Sequence, residues 1–148
     1  MHRRGIHRKI RGMSRRPTFV SSPDLFAGAP YEYAAVAPAG TLFTAGACPL
    51  DRDGRVVSPG DHEAQARAAV ANLRAALRAA GADVHDLVKT TVYVVARERE
   101  DLVRVWRVVE AALAPARPPS TLLGVSFLGY PEQLVEIEGI ASIAQEDG

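Results

Sequence analysis

Two glutamates, Glu136 and Glu138, stand two residues apart in the otherwise apolar stretch LVEIEGIA, residues 134–141. Side chains alternate across a strand, so both carboxylates point to one face and Val135 and Ile137 to the other. A glutamate face is ordinarily the wet face. A carboxylate partly removed from water instead favours its protonated form and can give and take protons. Glu136 is therefore the leading candidate for acid–base work, with an ion pair at an interface as its structural alternative. Glu138 shares that face and is expected to be solvated or paired with an arginine.

Few other side chains have the right type. Cys48 closely follows Gly46, and a lone cysteine is more often a small buried hydrophobe than a nucleophile. Lys89 is the only lysine beyond the first sixteen residues. A Schiff-base role is conceivable for it, but its place near Asp86 better fits a structural ion pair. His62 follows a helix start and His85 lies in a turn. Both are expected to be solvated, and neither has partners at metal-ligand spacing, so no metal is expected.

The bulk numbers narrow the class. The chain has 148 residues, 47% hydrophobic and 24% charged, which fits one globular domain. No apolar run spans a bilayer, and the basic N-terminus lacks the apolar stretch of a secretory signal. A single cysteine excludes an internal disulfide and leaves a reducing cytoplasm as the expected location. The net charge of +1 conceals a split. Residues 1–16 carry seven basic side chains and no acid, which leaves 11 basic against 17 acidic residues in the remainder. The arm has no aromatic interleaving and no recognition motif. Residues 1–20 are expected to be a disordered extension, or a stretch upstream of a true start at Met13, and residues 21–148 to be the domain. Nucleic acid is an unlikely partner, because its binding leans on basic surface.

The elements that must position these groups are legible from periodicity. TLFTAG (41–46) reads as a strand, and Asp53-Gly54 marks a hairpin leading to a short strand at Arg55–Val57. A helix starts near Asp61 as N-cap, carries Ala66, Val70, Leu73 and Leu77 as its apolar stripe, and ends at Gly81. LVKTTVYVV (87–95) is a strand. A second helix spans roughly 101–114 with Leu102, Val105, Val109 and Leu113 inward, stopped by Pro115, Pro118 and Pro119. Strands at 120–128 and 134–144 follow, joined by the turn GYPEQ. The expected fold is α+β: one sheet with two helices on one face.

The other face poses a problem. In strand 87–95, Val88, Val92 and Val94 are assigned to one side, and Leu87, Tyr93 and Val95 to the opposite one. In 120–128, Leu122 and Leu128 oppose Leu123, Val125 and Phe127. Both faces are apolar, whereas a half-wet antiparallel sheet alternates apolar with polar. No further element remains to cover the second face, so self-association is expected. Glu136 and Glu138 would then lie at or near a subunit interface.

LFTAGACPLD (42–51), NLRAALRAAGADVHDLVKTTVYV (72–94) and LVEIEGIA (134–141) together resemble the RidA/YjgF family, the reactive intermediate deaminases also labelled L-PSP ribonucleases. The likeness covers about residues 31–144, in three blocks in the right order. It implies a chorismate-mutase-like α+β fold, a homotrimer with three inter-subunit clefts, and hydrolysis of enamines or imines to carbonyl compounds and ammonia without a cofactor. It implies a cleft containing Gly46, a tyrosine of YEY (Tyr31 or Tyr33) and Glu136, which positions or activates water. Cys48 would lie nearby. The resemblance has one departure. The arginine that clamps a substrate carboxylate in such proteins aligns with Ser120, with Thr121 competing for the role. Arg117 lies three residues earlier and would substitute only if Pro118 and Pro119 redirect the chain. A cleft position that is often asparagine is Trp106 here. The implied cleft is more apolar, and the substrate is expected not to be a small 2-imino acid. The alternative is a trimer that binds a small molecule without turning it over. The ribonuclease of the older label finds support only in the basic arm.

Overall fold

The computed structural model describes residues 16–144, so the basic arm up to residue 15 lies outside the described residues. The strands are β1 (Thr18–Val20), β2 (Ala34–Val36), β3 (Thr41–Thr44), β4 (Leu87–Val95), β5 (Ser120–Val125) and β6 (Val135–Ser142). The helices are α1 (His62–Ala79) and α2 (Arg99–Leu113). The sheet runs in the order β1-β2-β3-β6-β4-β5. β4 and β5 are parallel, joined by the α2 crossover, and all other neighbours are antiparallel. This is the expected α+β layer, with β6, the strand of Glu136, near its centre.

α1 forms for the expected reasons. The Asp61 carboxylate accepts from the Ala64 amide at 3.0 Å. Ala66, Val70, Leu73 and Leu77 are all buried. Gly81, at φ +77, closes the helix as Gly81 N donates to Arg78 O and Ala82 N to Leu77 O. α2 opens two residues earlier than expected, because Asp101 caps from within its first turn. Its carboxylate accepts from the Arg97 and Glu98 amides at 3.0 and 3.4 Å. The Arg97 amide foremost holds that carboxyl below the usual carboxylate range. The inward residues Leu42, Val92, Val94, Val105, Val109, Val135 and Ile137 are fully buried between the layers. Each such side chain contributes about 1.5–3 kcal/mol by leaving water.

Four expectations give way. Thr18–Val20 pairs with Ala34–Val36, so the ordered domain begins before residue 21. The Asp53-Gly54 turn is present, with Gly54 at φ +80, but it closes a loop rather than a strand pair. Only an isolated bridge joins Leu50 to Val56, because Asp51 Oδ1 takes the amides of Asp53 and Arg55. Strand β5 stops at Val125, leaving Phe127 87% exposed beyond it. Finally, a bulge between Leu87 and Lys89 reverses the assigned faces at the start of β4. Leu87 joins the core and Val88 turns to solvent.

The helices cover one face, as expected. On the other, Phe43 pairs with Ile140 and Glu136 with Tyr93, while Tyr93 pairs with Leu123. Phe43 and Leu123 are 49% and 43% exposed there. No helix among the described residues is long and apolar enough to cross a membrane.

Candidate functional site

Glu136 lies on the uncovered face of β6 and is half-buried. One of its oxygens, Oε1, has two donors. The Cys48 thiol donates to it at 3.0 Å. The Gln133 side-chain amide reaches it at 3.4 Å. The second oxygen sits over Gly46, where an added Cβ would lie 2.7 Å from Oε2 and 2.6 Å from Cδ. Gly46 thus clears the space that the carboxylate fills.

Cys48 is buried and serves as a donor. Burial first, then its hydrogen bond to Glu136, push its thiol up to about 12. At neutral pH it is almost wholly protonated, which disfavours a nucleophilic role and keeps the S–H available. Beside it, Tyr31 and Tyr33 meet edge to face with ring centroids 5.8 Å apart. Their roles differ. Tyr33 donates to Phe26 O at 2.6 Å, so its hydroxyl is spent on the loop. The Tyr31 hydroxyl meets that of Tyr130 at 3.2 Å, bridging the YEY segment to the 129–133 turn. Burial raises both phenols. The recess they line with Cys48 and Asn72 has a volume of about 10 Å³, room for one water at most.

Helix α1 fixes the loops that carry these groups. Asn72 donates to the carbonyls of Cys48 and Leu50 at 2.8 and 2.9 Å. One heptad earlier, fully buried Gln65 donates to Ser58 O and Glu132 O and accepts from Leu134 N at 2.7 Å. One helix face thereby holds both sides of the Glu136 pocket. Gln65, Asn72, Tyr130 and Gln133 were not among the residues expected at the site. The available signal was two amides seven residues apart, beside an apolar stripe, where solvated residues would have served equally well as helix formers.

The other expected residues lie elsewhere in the protomer. Ser120 faces the helices, where its hydroxyl meets that of Thr90. With Trp106, Glu110 and Arg117 it lines a groove of about 520 Å³ beside the end of α2. Thr121 lies on the uncovered face, but its hydroxyl accepts from Lys89 Nζ at 2.6 Å. That bond corrects the Lys89–Asp86 expectation: Asp86 instead accepts from the Asp83 amide. Glu138 is held by the Tyr93 hydroxyl at 2.6 Å rather than by an arginine. That bond is the main cause pushing the Tyr93 phenol up to about 12. His62 is also more than solvated, its Nε2 lying 2.8 Å from Val95 O. His85 is exposed, as expected. The described residues include no cluster of three or more His, Cys, Asp or Glu able to hold a metal.

A family model described as endoribonuclease L-PSP matches residues 22–143. The chain belongs to this family, the RidA/YjgF family. A RutC family protein of Pyrococcus abyssi is 31% identical over 100 residues, covering 68% of this chain and 76% of the relative. The crystal structure of the Escherichia coli YjgF gene product superposes with TM-score 0.73 at 31% identity, over 84% of this chain and 98% of that one. Escherichia coli TdcF, solved with bound serine, gives TM-score 0.74 at 26% identity, over 86% and 99% of the two chains. The three blocks of likeness read from the sequence thus identify a true RidA/YjgF member. All three map around Glu136: β6 itself, the β3 end that brings Gly46 and Cys48 beneath it, and the block that opens with Asn72, which holds the Cys48 loop.

Proposed function

We propose that the protein hydrolyses enamines or imines to carbonyl compounds and ammonia, at clefts between the subunits of a homotrimer. The carrying observation is the Glu136 carboxylate, held through one oxygen on a partly exposed sheet face with its other oxygen over Gly46. Water adds to the electrophilic imine carbon as Glu136 accepts its proton. The carboxyl returns that proton to nitrogen, giving a carbinolamine. The carbinolamine hydroxyl then passes its proton through Glu136 to nitrogen as the C=O forms, the C–N bond breaks, and ammonia leaves. No cofactor is required for this sequence. The recess beside Cys48 is lined by neither Gly46 nor Glu136 and admits one water at most, so it does not by itself seat a substrate against Glu136; a second subunit would complete the cleft. The exposed Phe43 and Leu123 support such an assembly. In it, the Trp106–Arg117–Ser120 groove of one subunit would face the Glu136 pocket of another.

The second reading, a trimer that binds a small molecule without turnover, draws on a specific observation. The recess beside Cys48 is lined by apolar residues, tyrosines and Asn72, with no lysine or arginine. Enlarged by a second subunit, such a lining suits an uncharged or apolar ligand better than a small imino acid. The serine found with TdcF makes an amino-acid-sized molecule the reasonable first probe. Ribonuclease action gains little, since acidic residues outnumber basic ones beyond the arm.

The test is decay of imines generated in situ, 2-aminoacrylate and larger apolar imino acids, with wild type and Glu136→Gln. Accelerated decay lost in the variant supports the deaminase. A folded trimer that accelerates none of them, yet binds an apolar carbonyl compound, supports the binding reading.

A further inference from the structure

We infer that Cys48 and Gln133 are positioning residues that hold Glu136 through Oε1 and so reserve Oε2 for the ligand or water. This rests on the proposed role of Glu136. The donor geometry itself can also be tested without any activity.

The hydrogen-bond inventory leaves little freedom. Cys48 has a single S–H and two acceptors in reach, Glu136 Oε1 at 3.0 Å and Gly46 O at 3.5 Å. The nearer acceptor is a carboxylate, and charge-assisted bonds are the stronger. Gln133 is almost fully buried, and its three contacts admit one orientation of the amide. Its Oε1 accepts from Tyr130 N at 3.2 Å. Its NH2 donates to Val135 O at 3.1 Å and to Glu136 Oε1 at 3.4 Å. Both donors therefore converge on the same carboxylate oxygen, from two different loops. No described donor is directed at Oε2, which abuts the bare Cα of Gly46. A carboxylate anchored by one oxygen loses rotational freedom about its last torsion. It then presents the other oxygen at a fixed place, which is what a proton-transferring group needs.

The experiment combines a spectroscopic and a kinetic arm. Cys48 is the only cysteine, so its S–H stretch in a Raman spectrum reports one bond. The band is expected at the frequency of a strongly hydrogen-bonded thiol in wild type and to shift toward the free-thiol frequency in Glu136→Ala, where only Gly46 O at 3.5 Å remains. An unmoved band overturns the inference whether or not imines are hydrolysed. In the kinetic arm, Cys48→Ala is expected to lower kcat about tenfold with KM little changed, and Cys48→Ser, which keeps a donor, to recover most of it. Gln133→Leu is expected to lower kcat similarly. If wild type hydrolyses imines, Glu136→Gln does not, and Cys48→Ala keeps wild-type kcat, the deaminase stands and the anchoring role falls. If no imine is hydrolysed, the deaminase falls and the S–H band alone decides the anchoring.

Discussion

Replacing Gly46 with alanine should disable the site while leaving the fold in place. The Gly46 φ lies outside the left-handed region, so alanine can adopt its backbone without strain. The conflict is purely spatial. The new Cβ would stand 2.6 Å from Glu136 Cδ, whereas ordinary contact begins near 3.4 Å. Something must move by roughly 0.8 Å, the difference between those distances. Backbone on both sides is fixed: Ala45 N donates to Tyr33 O, and Ala47 and Ile137 exchange two backbone bonds. The Glu136 side chain is the softer partner, so the carboxylate shifts and its Oε1 bonds stretch. A misplacement of about 1 Å can cost on the order of 100-fold in rate. Overpacking costs about 1–3 kcal/mol, near the low end where a side chain can yield. The assay is kcat/KM for imine hydrolysis alongside a denaturant midpoint. Gly124→Ala is the control, since its Cβ would meet neighbours only at 3.9 Å. A folded Gly46→Ala protein with wild-type kcat/KM would refute the placement of Glu136.

Four further outcomes follow from the same geometry. Glu136→Gln should abolish the proposed turnover while its sedimentation coefficient stays that of wild type, because the change removes a charge and not a surface. Leu123→Arg on the uncovered face should yield monomers and lose activity, and an unchanged sedimentation coefficient would count against that face as the interface. Asn72→Leu strips the carbonyls of Cys48 and Leu50 of their donor and should cost about 1–3 kcal/mol in urea unfolding. Tyr93 sets an alkaline limit: its phenol is raised from 10.0 to about 12, so its contribution is full below pH 10 and is lost as pH rises toward 12. Wild type should lose urea stability across that window more steeply than Tyr93→Phe.

The elements were legible because their signals are local. The α1 stripe, its Asp61 cap and its Gly81 stop depend on residues within a few positions of each other. Glu136 was legible by alternation, and its neighbours Gly46 and Cys48 by resemblance. What escaped depends on tertiary contact. β1 and β2 are three residues each, too short for periodicity, and exist because β3 offers an edge. The Leu87/Val88 reversal comes from a bulge that no two-residue period announces. Tyr130 gains its role by a turn folded back onto Tyr31, a closure of 99 residues along the chain, and Cys48 meets Glu136 across 88. Trp106, Arg117 and Ser120 were grouped with Glu136 on family grounds, yet a single protomer keeps them in a separate groove.

The position of β6 separates two properties of this protein. It is paired on both sides, with β3 and β4, so its amides belong to the portion of the sheet that opens only when the whole domain does. The groups that orient its carboxylate sit on loops, tied down by two amides of α1. Hydrogen exchange should therefore find Glu136 on one of the slowest strands and its orienting partners on faster segments. Altered 46–50 or 129–133 loops on an unchanged sheet would re-aim the Glu136 carboxylate while its backbone stays where it is.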